Sequence, residues 1–244
     1  DQGLGAVDMP LPQDDAPEVA GRNWAQTAVR AFETANGLPK GPVHLNFPFR
    51  KPFEPSKAAL GGQDLLAAIR SLPTGEVVQV GRGQLVASAA QLAEITAVFE
   101  QHPRGLIVCG PRCPAGDFPQ AVLALSQRLG YPIVADPLSG VRWHGAEAEL
   151  VEASIVGGGE GFLQLAVHWE EPTLGLRFGA VPISKWVNGY LDKIRPAVRL
   201  HVRGNGVYAD DGHRTTRFLQ LDETTFCQQV AARVQRVADG AWRE

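Results

Sequence analysis

The 244 residues are 44% hydrophobic and 20% charged, which fits one large α/β domain or a domain with an appendage. A formal net charge of −3 and a pI near 6.1 disfavour a nucleic-acid-binding protein. No apolar stretch reaches the roughly 18 residues that a membrane-spanning helix needs.

The cysteines and the first residue indicate the cellular location of the protein and its relation to a longer chain. Cys109, Cys113 and Cys227 form no disulfide framework, which indicates reduced thiols and a cytoplasmic location. The chain begins at Asp1 rather than Met. We therefore expect an excised part of a longer polypeptide.

Residues 1–55 form a first region with little regular structure. Residues 1–17 are rich in proline and predict a loop. Apolar residues at helical spacing predict a helix over 18–35, and the run at 43–47 predicts a strand. A linker is expected at 56–62.

Residues 63–244 alternate between apolar strands and amphipathic helices. This alternation is typical of a parallel sheet that is covered by helices on both faces. It predicts a doubly wound, mainly parallel, six-stranded Rossmann-like α/β domain; residues 146–171 are assigned to no element. Strands are predicted at 76–80, 105–109, 131–135, 173–178, 197–202 and 217–221, and helices at 63–72, 88–102, 118–129, 184–193 and 223–238.

The segment RFGAVPISK, from Arg177 to Lys185, predicts a strand, a turn at Gly179 and a helix that begins near Ser184. Backbone N–H groups, a hydroxyl and an ammonium can converge on an anion in this arrangement. Ser184 more simply caps the helix, and Lys185 could equally be a solvated surface residue. Arg177 lies within the strand and is expected to pair with an acidic neighbour.

Two further residues follow the predicted strand at 131–135. Asp136 lies at its carboxyl end, where open α/β sheets place ligands, although an Asx turn before Pro137 is the simpler role. Arg142 could contact a carboxylate or lie on the surface.

Other motifs are weak. Gly81-Arg-Gly83 resembles part of a dinucleotide fingerprint, but Val86 stands where the third glycine is due. Neither a Gly-x-Ser-x-Gly nucleophile motif nor a metal-type histidine spacing occurs in the sequence.

Several segments resemble the thiamine-diphosphate-dependent enzymes in the expected order. GPVHLNFPFR at positions 41–50 resembles the end of their pyrimidine-binding domain. PIVADPLSGVR at 132–142 and the segment 177–185 are similar to the central domain of one branch, the 2-succinyl-5-enolpyruvyl-6-hydroxy-3-cyclohexene-1-carboxylate synthases of menaquinone biosynthesis. Positions 1–2 and 8–12 resemble the approach to the first of these segments.

The resemblance implies that residues 63–244 are a central domain and that residues 1–55 are the tail of a pyrimidine-binding domain. The intact enzyme would be a transferase (carboligase) that decarboxylates 2-oxoglutarate and adds the resulting acyl carbanion equivalent to isochorismate. It would use thiamine diphosphate with Mg²⁺ or Mn²⁺. The sequence has no Gly-Asp-Gly motif for that coenzyme, so we expect this chain to bind no cofactor or metal and to be inactive alone.

The resemblance also supplies candidate substrate-binding residues. Lys185 stands where the family has a basic residue that meets substrate carboxylates, and Trp186 stands where some relatives have a second basic residue or proline. Gln2 resembles a family position near the substrate. Ser184 and Arg142 are further candidate substrate-binding residues, and no catalytic residue is assigned.

Three alternatives remain open. The chain could be the central domain of an acetolactate-synthase-like enzyme that binds an adenine dinucleotide. It could be a regulatory module that binds 1,4-dihydroxy-2-naphthoate, or an autonomous dinucleotide-dependent enzyme. The expected protein partners are the flanking domains and further copies of the full enzyme.

Overall fold

The computed structural model describes residues 3–11, 17–49, 51, 78–142, 155–156, 161, 170–235 and 242. The chain divides into two compact units, residues 1–83 and 84–244. The predicted linker at 56–62 and the predicted helix at 63–72 lie outside the described residues. The predicted division into a 1–55 region and a 63–244 domain therefore stays a prediction.

The first unit contains a strand, a helix and a second strand. Strand β1 (Gly5–Asp8) pairs in parallel with strand β2 (Val43–Asn46), and helix α1 (Pro17–Ala35) connects them. The predicted helix and second strand are confirmed, but the loop predicted for residues 1–17 is wrong at β1. Four residues are too short to show a period, and β1 is defined by its hydrogen bonds to β2.

The predicted strand at 76–80 is not formed where the structure describes it. Residues 78–80 are neither strand nor helix, and the side chains of Val78 and Val80 are 53% and 48% exposed. Arg82, just beyond, donates from Nε to the Glu33 carboxylate over 2.7 Å and also bonds the carbonyl groups of Glu33 and Asn36. Arg82 thus satisfies carbonyl groups at the carboxyl end of α1.

The second unit contains the parallel sheet. Its strand order is β4 (Ile133–Ala135), β3 (Gly105–Cys109), β5 (Leu174–Phe178), β6 (Val198–Val202) and β7 (Arg217–Leu219). Every neighbouring pair is parallel, so the described residues form five of the six predicted strands. Ile155, in the region without a predicted element, forms a parallel bridge with Ile133 of β4. The elements are α2 (Ala89–Gln101), β3 (Gly105–Cys109), α3 (Phe118–Leu129), β4 (Ile133–Ala135), β5 (Leu174–Phe178), α4 (Lys185–Lys193), β6 (Val198–Val202), β7 (Arg217–Leu219) and α5 (Glu223–Arg233).

Local signals set the ends of these helices. Ser88 and Gln91 form a capping box at the start of α2, in which each side chain accepts the other residue's backbone N–H. Gly130 ends α3 in the left-handed conformation, with φ of 72°. Predicted helix starts at 88, 118 and 184 therefore agree with the structure to within one residue.

Apolar side chains cover both faces of the sheet, as predicted for a doubly wound fold. Leu106, Val108 and Val134 pack with Val187 of α4 and with Ile194 on one face. Ile107 and Cys109 lie on the other face, in a larger cluster that includes side chains of α2, α3 and α5. The alternation along β3 explains why its whole sequence is apolar.

Phe178 is the centre of the larger cluster. Its ring is fully buried and meets Phe118 and Phe226 edge to face, with centroid distances of 5.2 and 6.1 Å. Such pairs stabilise a core beyond the area that they bury. Phe178 is also the last residue of β5, so this packing fixes the point from which the next loop departs.

We expect Phe178→Ala to lower the free energy of unfolding of this unit by about 3–5 kcal/mol, because it leaves a cavity between two aromatic rings. Denaturant unfolding followed by tryptophan fluorescence measures the change. Val207→Ala, at an exposed position, is the control and should cost less than about 0.5 kcal/mol. Equal losses in the two variants would contradict the assigned core.

Candidate functional site

The candidate site is the carboxyl edge of the sheet. Because all five strands are parallel, the loops that follow β3, β4 and β5 leave from the same edge. These loops are the turn 110–113, the segment 136–140 and the segment 179–184. The second and third contain the residues that the sequence singled out.

Asp136 joins the loop after β4 to the loop before α4. The residue is 6% exposed; Oδ1 accepts the N–H of Leu138 and Oδ2 accepts the N–H of Ile183, each over 2.8 Å. The bond to Leu138 is the predicted Asx turn, here at the start of a 3₁₀ helix over Pro137–Ser139. The bond to Ile183 connects residues 47 positions apart, and no local sequence pattern predicts it.

The turn after β3 interlocks with the start of the loop after β5. Gly110 donates to Phe178 O over 3.0 Å, and Ala180 donates to Pro111 O over 2.7 Å. A Cβ on Gly110 would lie 1.8 Å from Ala180 O, so this position has no room for a side chain. These backbone hydrogen bonds and the Asp136 carboxylate therefore hold the three loops against one another.

Ser184 and Lys185 lie where this loop enters α4. Ser184 Oγ accepts the N–H of Val187 over 3.4 Å, which is the predicted capping role. Lys185 is the exposed first residue of the helix, and its Nζ lies 5.0 Å from the ring centroid of Trp186. A cation–π contact of this kind holds an ammonium near an aromatic face while leaving it open to an anion.

Arg142 and Gln2 are the other two predicted substrate-contacting residues, and only Arg142 lies among the described residues. Arg142 is half-buried, and its Nε donates to Ala135 O, the last carbonyl of β4, over 2.6 Å. It therefore lies at the same edge as Asp136. Gln2 lies outside the described residues. The structure thus brings together the segments that carry Ser184, Lys185 and Arg142, while their contact with a substrate stays a prediction.

His201 supports this edge from within the sheet. It is a fully buried residue of β6, and its Nε2 lies 3.0 Å from Gly179 O, with Nε2–H as donor. Burial lowers the pKa of His201 to about 4, and the charges of Arg177 and Arg203 act in the same direction. The imidazole is therefore neutral at pH 7. It holds the carbonyl of Gly179, the residue at which the loop to Lys185 begins.

Arg177 is a half-buried polar residue beside this loop. Its Nη1 lies 3.9 Å from Asp210 Oδ1, which agrees with the predicted acidic partner. Asp210 Oδ2 also accepts the N–H groups of Arg214 and Thr215 over 2.7 and 2.6 Å. Burial alone would raise the pKa of Asp210, but these hydrogen bonds outweigh it, so the pKa is lowered.

A cavity of about 70 Å³ adjoins Arg177 under α4. It is bounded by charged side chains of both signs, among them Arg199, Arg214 and Asp192. Burial lowers the pKa of the Arg177 guanidinium, and its Nε and Nη2 have no hydrogen-bond partner among the residues that the structure describes. Because these charges have both signs, we interpret the cavity as part of a polar interface between the sheet and the 207–216 segment.

The sequence offered partial signals for these supporting residues. An arginine inside the apolar strand at 174–178 indicates a buried ion pair. A histidine between Leu200 and Val202 indicates a packed, neutral ring. Neither pattern reveals that His201 bonds Gly179.

The dinucleotide fingerprint lacks its structural context in the described residues. Residues 78–88 are neither strand nor helix, and Arg82 is occupied at the end of α1. A fingerprint needs a strand directly before the glycines and a helix directly after them. The part of the chain that the structure describes also holds no cluster of three or more His, Cys, Asp or Glu side chains suited to a metal ion.

Similar proteins were found by sequence. The chain is 42% identical over 241 residues to the 2-succinyl-5-enolpyruvyl-6-hydroxy-3-cyclohexene-1-carboxylate synthase of Roseiflexus castenholzii, covering 98% of this chain and 40% of that protein. It is 38% identical over 239 residues to the synthase of the same name in Roseiflexus sp. strain RS-1, covering 97% and 40%. The chain therefore spans about 40% of the length of these curated relatives. No protein-family model matches it.

Solved structures give weaker likenesses. A thiamine diphosphate-dependent 4-hydroxybenzoylformate decarboxylase of Rhodococcus jostii RHA1 is 15% identical with a TM-score of 0.47, over 96% of this chain and 40% of that one. A thiamin diphosphate-dependent enzyme of Mycobacterium smegmatis is 16% identical with a TM-score of 0.49, over 93% and 42%. These scores are too low to carry an argument, and the assignment rests on the sequence relatives.

Asp136→Asn should lower the free energy of unfolding by about 1–3 kcal/mol, because an amide NH₂ would replace one of the two acceptors and face a buried N–H. Hydrogen exchange of the backbone amide of Leu138 or Ile183 should also become faster in this variant. Asp117→Asn is the matched control, since Asp117 is exposed and makes no capping bond. Unchanged protection of both amides in Asp136→Asn would contradict the shared-carboxylate contact.

His201 should make stability depend on pH. Its folded pKa of about 4 lies below the unfolded value near 6.5, so the unfolded chain binds more protons between these values. This stability is fully present above pH 6.5 and is lost as the pH falls toward 4, by up to about 3 kcal/mol.

Denaturant unfolding from pH 7 to pH 4 measures this slope. His201→Gln should flatten it, whereas His213→Gln, at an exposed position, should leave it unchanged. A slope that persists in His201→Gln would show that another group is responsible.

Proposed function

The chain belongs to the 2-succinyl-5-enolpyruvyl-6-hydroxy-3-cyclohexene-1-carboxylate synthase family over the stretch that aligns, and we propose that it works as the central-domain part of such a synthase. The proposal rests on identities of 42% and 38% that extend over nearly the whole chain. The parallel sheet with helices on both faces is consistent with this role.

The proposed reaction is a carboligation in menaquinone biosynthesis. The complete enzyme decarboxylates 2-oxoglutarate and adds the resulting four-carbon unit to isochorismate. Thiamine diphosphate, held with Mg²⁺ or Mn²⁺, supplies the means of stabilising the acyl carbanion equivalent when it is bound.

The described residues do not fit this coenzyme. Among them no cluster of acidic or other ligating side chains suits a divalent metal, and the sequence contains no Gly-Asp-Gly motif. In this proposal the coenzyme is held by other parts of the synthase. The chain alone is then inactive with both substrates and added coenzyme, and product formation by the purified chain would contradict this.

Within the synthase, the chain contributes a positive charge at the carboxyl edge of its sheet. Both substrates are dianions, and Lys185 is an exposed ammonium at the positive end of a helix. We assign Lys185 the role of binding a substrate carboxylate. Asp136 and Ser184 fix the backbone that carries it, and Arg142 supplies a second cation at this edge.

The remaining expectations stay predictions. They concern flanking domains, a homo-oligomer of the full enzyme, 1,4-dihydroxy-2-naphthoate as an effector and a cytoplasmic location. Within the described residues, no helix combines the length and apolar character that crossing a membrane requires.

Lys185→Ala in the complete synthase should raise KM for one of the two anionic substrates by about 10- to 100-fold, because a charge-assisted hydrogen bond is lost. Lys185→Arg should recover part of this loss. Steady-state kinetics with each substrate varied in turn measures the effect. Lys193→Ala, which removes an exposed lysine from the other end of α4, is the control. A KM unchanged for both substrates in Lys185→Ala would reject the assigned role.

A further inference from the structure

The three cysteines converge on one place behind the carboxyl edge of the sheet. Cys109 ends β3, Cys113 lies in the turn that follows, and Cys227 lies on α5; all three belong to or pack against the larger apolar cluster. Each is a free thiol. Cys109 and Cys227 are fully buried, whereas Cys113 is partly exposed.

Cys113 lies against Cys109 across a tight turn. Its Sγ donates to Gly110 O over 3.2 Å, and its side chain packs against the apolar cluster that contains Cys109. Between them, Arg112 takes a positive φ of 61°, which folds the chain back on itself. The turn therefore returns the Cys113 side chain to the apolar cluster in which Cys109 is buried.

We propose that Cys113 and Cys109 form an oxidisable dithiol, in which a peroxide oxidises Cys113 and Cys109 then closes an intramolecular disulfide. In the first step the Cys113 thiolate sulfur attacks the peroxide; the O–O bond breaks, and Cys113 becomes a sulfenic acid while an alcohol or water leaves. In the second step the Cys109 sulfur displaces the sulfenic oxygen as water. The two thiols lose two protons and two electrons in total, and the peroxide is reduced by two electrons.

The surroundings make Cys113 the first thiol to react. It is the accessible member of the three, and the buried guanidinium of Arg203 interacts with it electrostatically. Burial raises the pKa of both Cys109 and Cys227, so these thiols stay protonated and shielded from solutes.

Oxidation would act on the loop that carries Lys185. A Cβ added at Gly179 would lie 2.9 Å from Cys113 Sγ, so this sulfur packs directly against the first residue of that loop. Drawing Sγ toward Cys109 breaks its bond to Gly110 O and removes this packing. The disulfide should therefore loosen residues 179–184, which hydrogen exchange can detect without any assay of activity.

Peptide mapping tests the pairing directly. Trypsin cleaves after Arg104, Arg112, Arg128, Arg217 and Arg233, so the three cysteines fall in separate peptides, 105–112, 113–128 and 218–233. After treatment of the folded protein with hydrogen peroxide and blocking of free thiols, we expect 105–112 to be joined to 113–128 and the free thiols to fall from three to one. Dithiothreitol should restore all three.

Two variants separate this outcome from others. Cys113→Ser should abolish the joined peptide and leave Cys109 reduced, whereas Cys227→Ala should leave the 105–112 to 113–128 linkage intact. Circular dichroism before oxidation shows whether each variant is folded. A linkage of 113–128 to 218–233, oxidation of Cys113 without any joined peptide, or three free thiols after treatment would each overturn the proposal. None of these results depends on the synthase activity.

Discussion

One buried carboxylate fastens the carboxyl edge of this sheet. Asp136 accepts an N–H from its own loop and another from the loop that precedes α4. A charged acceptor that is out of water must have its hydrogen bonds satisfied, and here both oxygen atoms are. The positions of the two loops relative to each other are consequently fixed, and so is the backbone at Lys185, the first residue of α4.

Neighbouring contacts also order the backbone at this edge of the sheet. His201 holds the carbonyl of Gly179, and the turn at Gly110 fits against Ala180 with no space for a side chain. Asn188 of α4 adds a bond from Nδ2 to Pro182 O over 2.7 Å. A binding group on such a base loses little backbone entropy when it meets a ligand, because the backbone is already ordered. The exposed ammonium of Lys185 is thus carried by an ordered backbone.

Periodicity predicted most of the fold because these elements carry their own signal. The apolar run at Gly105–Cys109 and the amphipathic stretch at Phe118–Leu129 are found with the predicted bounds. Elements that depend on a distant partner carry no such signal. Strand β1 is defined by β2, and Val78 and Val80 resemble a strand locally but lie outside the sheet.

The candidate site also combines features that the local sequence predicts with contacts that it does not predict. Ser184 as a helix cap and Asp136 as an Asx turn follow from neighbours in the sequence, so they could be predicted. The bond from Ile183 to Asp136 joins two loops, and the bond from His201 to Gly179 joins a strand to a loop. Both pairs are far apart in the sequence, and only the folded sheet brings them together. The family resemblance drew attention to Lys185, while the structure explains how its backbone is held.

The most direct measurement is a crystal structure of the complete synthase with a substrate-derived dicarboxylate bound. This account predicts a carboxylate oxygen within hydrogen-bonding distance of Lys185 Nζ, with Asp136 still accepting the N–H of Ile183. A dicarboxylate bound elsewhere in the enzyme, with Lys185 directed into solvent, would contradict it.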